Sequence, residues 1–239
     1  MGDLSWLSRT QLLIGEEKLH QLNKKHVLVV GLGGVGSFAA EFIARAGVGT
    51  MTIVDGDVVD PSNRNRQLPA LSTNHGKYKV DIMEKRLLEI NPELNIIPVK
   101  LFLSPEAAQE ILQTPYDYAI DAIDSITPKL HLLIAAYRNK IPIVSSGGAG
   151  GKVDPTLIRV TDISKTYLCP FSRIVRKRLK REKIYKGIKT VFSPEVPPKS
   201  SLIMKDVSNF KKSAYGTISY MPAAFGGACA SVVLRDLLK

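Results

Sequence analysis

An apolar run, His26-Val-Leu-Val-Val30, leads straight into Gly31-Leu-Gly33-Gly34-Val35-Gly36, and this junction restricts the fold more than any other feature of the chain. The valine-rich run reads as a buried strand. Glycines directly after it allow a tight turn and let a phosphate approach the backbone. The helix that opens there presents unpaired N–H groups and the positive end of its dipole. A second strand over residues 51–54 ends at Asp55, where a carboxylate is placed to accept hydrogen bonds from ribose hydroxyls. Together these residues point to a nucleotide without saying which one. Taken alone they favour an NAD-dependent oxidoreductase, with glycines used only for packing as the plainer alternative.

The rest of the chain extends the same rhythm. Helices are expected over residues 12–22, 33–46 (Phe38, Phe42 and Ile43 on one side), 80–90 and 126–138. Strands are expected over 94–101, 118–123 and 141–145. Strands alternating with helices imply a Rossmann-like α/β fold, a mainly parallel sheet with helices on both faces. The length suits a single domain over residues 1–239, with an irregular basic segment at about 169–215. Two cysteines, Cys169 and Cys229, are too few for a disulfide framework and suit a reducing cytoplasm. Residues 1–11 carry Asp3 and polar side chains where a leader's apolar core would sit, so no signal peptide is expected. The apolar stretch 218–234 is broken by Pro222, Gly226 and Gly227, and is expected as a buried C-terminal helix and not as a membrane span.

Charge is uneven. Residues 173–189 hold nine Lys and Arg against Glu182 alone, a net +8 of the chain's +11. A localised basic run points to a polyanion, with Arg173, Arg176, Lys177, Arg178, Lys180 and Arg181 as candidate nucleic-acid contacts. A solvated surface is the alternative. On a helix Arg173, Lys177, Lys180 and Arg181 would share a face, but Ile184 falls on the same stripe, so no helix is assumed.

Asp55-Gly-Asp57 leads to Asn63-Arg-Asn65-Arg66-Gln67 and then Gly76-Lys-Tyr-Lys79. A dinucleotide site does not need this many cations after its ribose acid, whereas a triphosphate does. Arg66 and Lys79 suit the neutralisation of β- and γ-phosphate oxygens as pyrophosphate departs, with solvated charges in a surface loop as the plainer alternative. In Asp121-Ala-Ile-Asp124-Ser125, Asp124 is placed to hold Mg²⁺, and Asp121 reads as a structural hydrogen-bonding group.

These motifs together resemble the superfamily of ubiquitin-activating-type adenylating enzymes. The resemblance implies an acyl-adenylate chemistry using ATP and Mg²⁺. It implies that Gly31, Gly33, Gly34 and Gly36 form the phosphate loop, that Asp55 holds the ribose, and that Asn63, Arg66 and Lys79 bind the triphosphate. Asp124 would hold Mg²⁺. Arg9, in Leu7-Ser-Arg9-Thr-Gln-Leu, matches the arginine that reaches the partner subunit's site, which implies a homodimer. Ser146-Gly-Gly-Ala-Gly-Gly151-Lys-Val-Asp154-Pro155-Thr156 and the Lys165-Thr166 step are similar to the tRNA threonylcarbamoyladenosine dehydratase branch. That branch implies a tRNA substrate, a net dehydration and no enzyme nucleophile. The chain departs from it at Cys169-Pro170, where the branch has Asp-Pro, and both thiols are expected to be buried and inert. Two other readings stand beside it: a zinc-free adenylyltransferase activating the C-terminus of a ubiquitin-like sulfur-carrier protein, and a non-catalytic nucleotide-binding scaffold. A monovalent cation and a sulfur-transfer partner are left open.

Overall fold

The computed structural model describes residues 4–208 and 211–239. Residues 1–3, part of the expected leaderless start, and 209–210, within the expected irregular segment, lie outside the described residues. In chain order, α1 (Ser8–Ile14) and α2 (Glu16–Asn23) precede β1 (His26–Val30), α3 (Gly36–Arg45), β2 (Thr50–Val54), α4 (Lys79–Ile90) and β3 (Asn95–Val99). Then follow α5 (Pro105–Ile111), β4 (Tyr118–Asp121), α6 (Ile126–Arg138), β5 (Ile143–Ser146), β6 (Arg159–Asp162), α7 (Pro170–Arg181) and β7 (Lys189–Phe192). A hairpin, β8 (Leu202–Ser208) with β9 (Lys211–Tyr215), and the long α8 (Tyr220–Leu237) complete the order.

Seven strands form one sheet in the order β3-β2-β1-β4-β5-β7-β6. Every pair is parallel except β6 with β7. Alternate strand residues face opposite layers. Val27, Val29, Met51, Ile53 and Ile120 pack with Ile43 of α3, Met83 of α4 and Phe225 of α8. Leu28, Val30, Val54 and Ala119 pack with Ala108 of α5, Leu133 of α6 and Leu179 of α7. Burial on both faces explains the near-continuous apolar reading of the central strands. The chain winds outward from β1 through β2 to β3, then returns to β4 on the other side of β1. The strand order therefore reverses between β1 and β4, the point where a ligand crevice opens outside the carboxyl ends of the strands.

Several expectations are corrected. The leading helix breaks at Gly15 (φ +86°), a left-handed conformation that ends α1 and starts α2. Leu12 and Leu13 on α1 are consequently exposed, at 89% and 85%. On α3, Ile43 is buried and Phe42 is 41% exposed, while Phe38 and Phe42 both lie against the α8 glycines Gly226 and Gly227. Helix α5 lies in a stretch for which no element was expected; its Ser104 cap and Pro105 start are the local signal for it. The segment expected to be irregular and basic is ordered for much of its length. It contains α7, a strand inside the main sheet (β7) and the β8–β9 hairpin. Val175 and Leu179 give α7 a narrow apolar stripe, which suffices because the rest of the helix faces solvent. Ile184 lies beyond the helix end and is buried, so it does not interrupt the charged face. The expected C-terminal helix is α8, and among the described residues no helix is long and apolar enough to cross a membrane.

Candidate active site

The glycine loop joins β1 to α3 at the strand-order reversal. Gly31 has φ +90°, and a Cβ there would stand 2.9 Å from the Ala122 carbonyl oxygen. A Cβ on Gly36 would stand 1.7 Å from the Gly31 carbonyl oxygen, so the loop closes onto itself and onto the turn after β4. Asp55, at the end of β2, accepts hydrogen bonds from the Leu32 N–H (2.6 Å) and the Asp57 N–H (2.7 Å). Burial pushes its carboxyl above the usual carboxylate range, opposed by the nearby Lys79 charge and the two amides.

An antiparallel bridge between Val58 and Tyr78 folds the following segment back, and the Lys79 N–H donates to the Asp57 carbonyl at 3.1 Å. Lys79, 4% exposed at the start of α4, has its Nζ 3.0 Å from Asp57 Oδ2. Sequence distance between Asp55 and Lys79 thus collapses into one cluster beside the glycine loop.

The turn at residues 60–67 reaches the same loop. Asn63 Oδ1 accepts the Asp60 N–H at 3.2 Å, so this amide oxygen is used in a capping box. The Arg66 guanidinium donates to the Ser62 carbonyl (2.9 Å) and to Asn65 Oδ1 (2.8 Å). The Arg66 carbonyl lies 3.1 Å from the position of a Cβ on Gly34, and Gln67 Nε2 lies 3.7 Å from one on Gly33. Gln67 Oε1 is buried and has no hydrogen-bond partner among the described residues. Asn65 Nδ2 donates to the Thr217 carbonyl at 2.8 Å, tying the turn to the segment before α8.

On the other side of the crevice, Asp121 ends β4 and is fully buried. Its Oδ2 accepts from Lys129 Nζ and from Ser145 Oγ, both at 2.6 Å, and its Oδ1 from the Ile123 N–H at 3.1 Å. Lys129 Nζ also donates to the Ser146 carbonyl at 3.0 Å. Asp124 is exposed in the loop that follows, with Ser125 Oγ 3.4 Å from its Oδ1. Among the described residues no group of three His, Cys, Asp or Glu side chains is arranged to hold a metal. A single carboxylate fits Mg²⁺ all the same, because that ion keeps several waters and takes the remaining ligands from substrate phosphates.

The basic residues separate into two kinds. Arg173, Lys177, Arg178, Lys180 and Arg181 are exposed on α7. Arg176 is half-buried, and its Nη1 donates to both the carbonyl and the hydroxyl of Thr166, tethering the preceding loop. Arg9 is exposed on α1, apart from the glycine loop in sequence and on a different helix. Cys169 and Cys229 are both buried and unpaired, and burial pushes the Cys229 thiol up to about 12.

Residues 7–239 match the ThiF family. The tRNA threonylcarbamoyladenosine dehydratase of Bacillus subtilis (strain 168) is 41% identical over 243 residues, spanning 99% of this chain and 96% of that protein. The chain belongs to the ThiF family, in its tRNA threonylcarbamoyladenosine dehydratase branch. The crystal structure of the E. coli tRNA N6-threonylcarbamoyladenosine dehydratase in complex with ATP matches with a TM-score of 0.88 at 38% identity, covering 98% of this chain and 96% of that one. The AMP complex of the E. coli enzyme matches with the same values.

Two residues of this ThiF-family chain were not singled out from sequence. Gln67, within the Asn63–Gln67 motif, carries a buried oxygen beside the glycine loop that has no partner among the described residues. Lys129 lies on the buried stripe of α6 between Pro128 and Leu130. A lysine among core positions was the available signal, because such a charge persists only when paired.

Proposed function

We propose that the protein uses ATP to convert threonylcarbamoyladenosine in tRNA to its cyclic, dehydrated form through an acyl adenylate. The observation that carries this reading is the convergence of the glycine loop, the Asp57–Lys79 pair and the Asp124 loop at one crevice, in a chain that resembles dehydratases over its whole length. A substrate carboxylate oxygen attacks the α-phosphorus of ATP and pyrophosphate leaves. The carbamoyl group of the same side chain then attacks the activated acyl carbon and closes a five-membered ring, with AMP leaving and taking the carboxylate oxygen. Well-oriented intramolecular attack is worth roughly 7–11 kcal/mol, so no enzyme nucleophile is needed. The buried thiols agree with that.

In this reading the backbone at Gly31, Gly33, Gly34 and Gly36 cradles phosphate. Asp55 keeps lone pairs for ribose hydroxyls beyond its two amide contacts. Lys79, Arg66 and Asn63 contact the triphosphate, Lys79 as a preoriented ammonium held by Asp57. The unpartnered Gln67 oxygen suits a donor on the bound nucleotide. Asp124 would hold Mg²⁺, which when bound neutralises charge on the phosphates. No residue is assigned to a monovalent cation. The exposed cations of α7 suit tRNA phosphates, and a cytoplasmic location suits two unpaired cysteines. The experiment is mass spectrometry of tRNA nucleosides after incubation with protein, ATP and Mg²⁺. The modified adenosine should lose one water while AMP and pyrophosphate accumulate. ADP with phosphate would rule out the adenylate, and adenylation of a ubiquitin-like carrier without change in tRNA would favour the sulfur-carrier alternative.

The functional unit in this proposal is a homodimer. Support comes from Arg9 sharing the short α1 with the exposed Leu12 and Leu13. Arg9→Ala and Lys79→Ala should each be inactive alone, and should recover activity when mixed after subunit exchange, through one intact hybrid site. Verified exchange with no recovery argues against an arginine supplied in trans.

A further inference from the structure

Between β6 and α7 the chain turns sharply at Tyr167, Leu168 and Cys169. The Cys169 N–H donates to the Tyr167 carbonyl at 2.7 Å, and Leu168 between them has φ +54°. A hydrogen bond spanning two residues around a positive-φ centre is a γ-turn, which is strained for any residue that carries a Cβ. Leucine at the centre does not recover that cost by burial: it is 65% exposed, and Tyr167 beside it is 52% exposed. The turn is nevertheless held firmly. Arg176 donates to the Thr166 carbonyl and hydroxyl, and the Thr166 hydroxyl donates to the Ile163 carbonyl at 2.8 Å. The Tyr167 ring stands edge-on to Phe192, with centroids 5.4 Å apart at 79°.

The turn stands at the carboxyl edge of the sheet, beside β7 and the loop after β5. Phe192 ends β7 there, and the Phe171 side chain of α7 approaches to 3.6 Å the position of a Cβ on Gly148 in the glycine-rich loop after β5. Lys165 and Arg173 flank the turn and are exposed, and residues 163–181 contain no acidic side chain. An apolar and aromatic tip held out in solvent among cations matches an unpaired nucleobase followed by phosphates. Single-stranded RNA loops are recognised by this combination of stacking and charge.

We propose that Tyr167 and Leu168 form a stacking platform for an unpaired base of the RNA substrate, with Lys165 and Arg173 on the adjoining phosphates. This rests on the tRNA reading above and adds the residues that receive a base. Stacking releases no counterions, so its loss lowers affinity without changing salt dependence, whereas loss of a phosphate contact changes both.

The test measures binding of tRNA carrying threonylcarbamoyladenosine to the full chain across a salt series, with melting temperature and sedimentation recorded for every variant. Tyr167→Ala should bind on the order of 10-fold more weakly, with the slope against salt unchanged. Tyr167→Phe should match the parent. Leu168→Gly relieves the strained φ, so it should melt no lower than the parent and still bind tRNA more weakly. Lys165→Ala with Arg173→Ala should flatten the slope by roughly 0.7–0.9 per lost contact. Parental affinity in a folded Leu168→Gly or Tyr167→Ala variant overturns the platform. A flattened slope in those variants, or a change in their oligomeric state, overturns it as well. Failure of the tRNA reading itself looks different: the parent protein would show no tRNA binding.

Discussion

Alanine at Lys79 or at Arg66 is expected to slow pyrophosphate release by about 10²–10³-fold, the usual cost of removing one preorganised electrostatic stabiliser of a transition state. The two side chains are held in different ways, and that makes them independent tests. Lys79 is buried and its ammonium is oriented by Asp57 at 3.0 Å, so under the proposed role it would meet developing phosphate charge without reorganising. Arg66 is less buried, and its guanidinium is held by the turn's own Ser62 carbonyl and Asn65 side chain. Lys79→Ala also leaves Asp57 without its cation, so some loss of melting temperature accompanies it. Arg66→Ala has no such consequence and should melt like the parent. Near-parental pyrophosphate release by a folded Arg66→Ala protein removes Arg66 from the triphosphate site.

The largest effect on stability is expected at Lys129. Its ammonium and the Asp121 carboxylate are both fully buried, 2.6 Å apart, and the same ammonium bonds the Ser146 carbonyl and lies 5.5 Å from the centre of the Phe171 ring. Lys129→Met removes the cation and leaves an uncompensated carboxylate in the core, which costs about 3–5 kcal/mol. For a chain of this length each kcal/mol moves the melting temperature by roughly 2–4 °C. Removing both charges, as Lys129→Met with Asp121→Leu, should restore much of the loss, because no ion is then left desolvated. Thermal unfolding of the single and double variants checks both statements. A single variant within about 1 kcal/mol of the parent would contradict the buried pair as a determinant of stability. The pair also joins the root of the Asp124 loop to the root of the glycine-rich loop after β5, so the single variant should lose activity beyond its loss of folded protein.

Local chemistry determined much of this protein. A valine-rich run followed by glycines can adopt few backbone paths, since Gly31 needs a left-handed φ and Gly36 has no room for a Cβ. The glycine turn, the acid after β2, helix α6 and the α/β class were therefore legible from residue order alone, and the Arg-Asn-Arg-Gln and Lys79 positions are those on which the expectation of a triphosphate rests. The tertiary structure decided what depends on distant partners. Strand order, with β7 placed between β5 and β6, comes from hydrogen bonds between segments far apart in sequence, which no local pattern encodes. The apolar stripe of α7 is two residues, Val175 and Leu179, within a basic run, and only packing against α6 makes it sufficient. Arg176 and Lys177 are adjacent and chemically alike as sequence, yet one is tied to Thr166 and the other faces solvent. Lys129 is one lysine among many until Asp121, Ser145 and Ser146 surround it. Dihedral preference and periodicity are properties of neighbouring residues. The desolvation of a charge, and the partner that compensates it, exist only once the chain has closed around them.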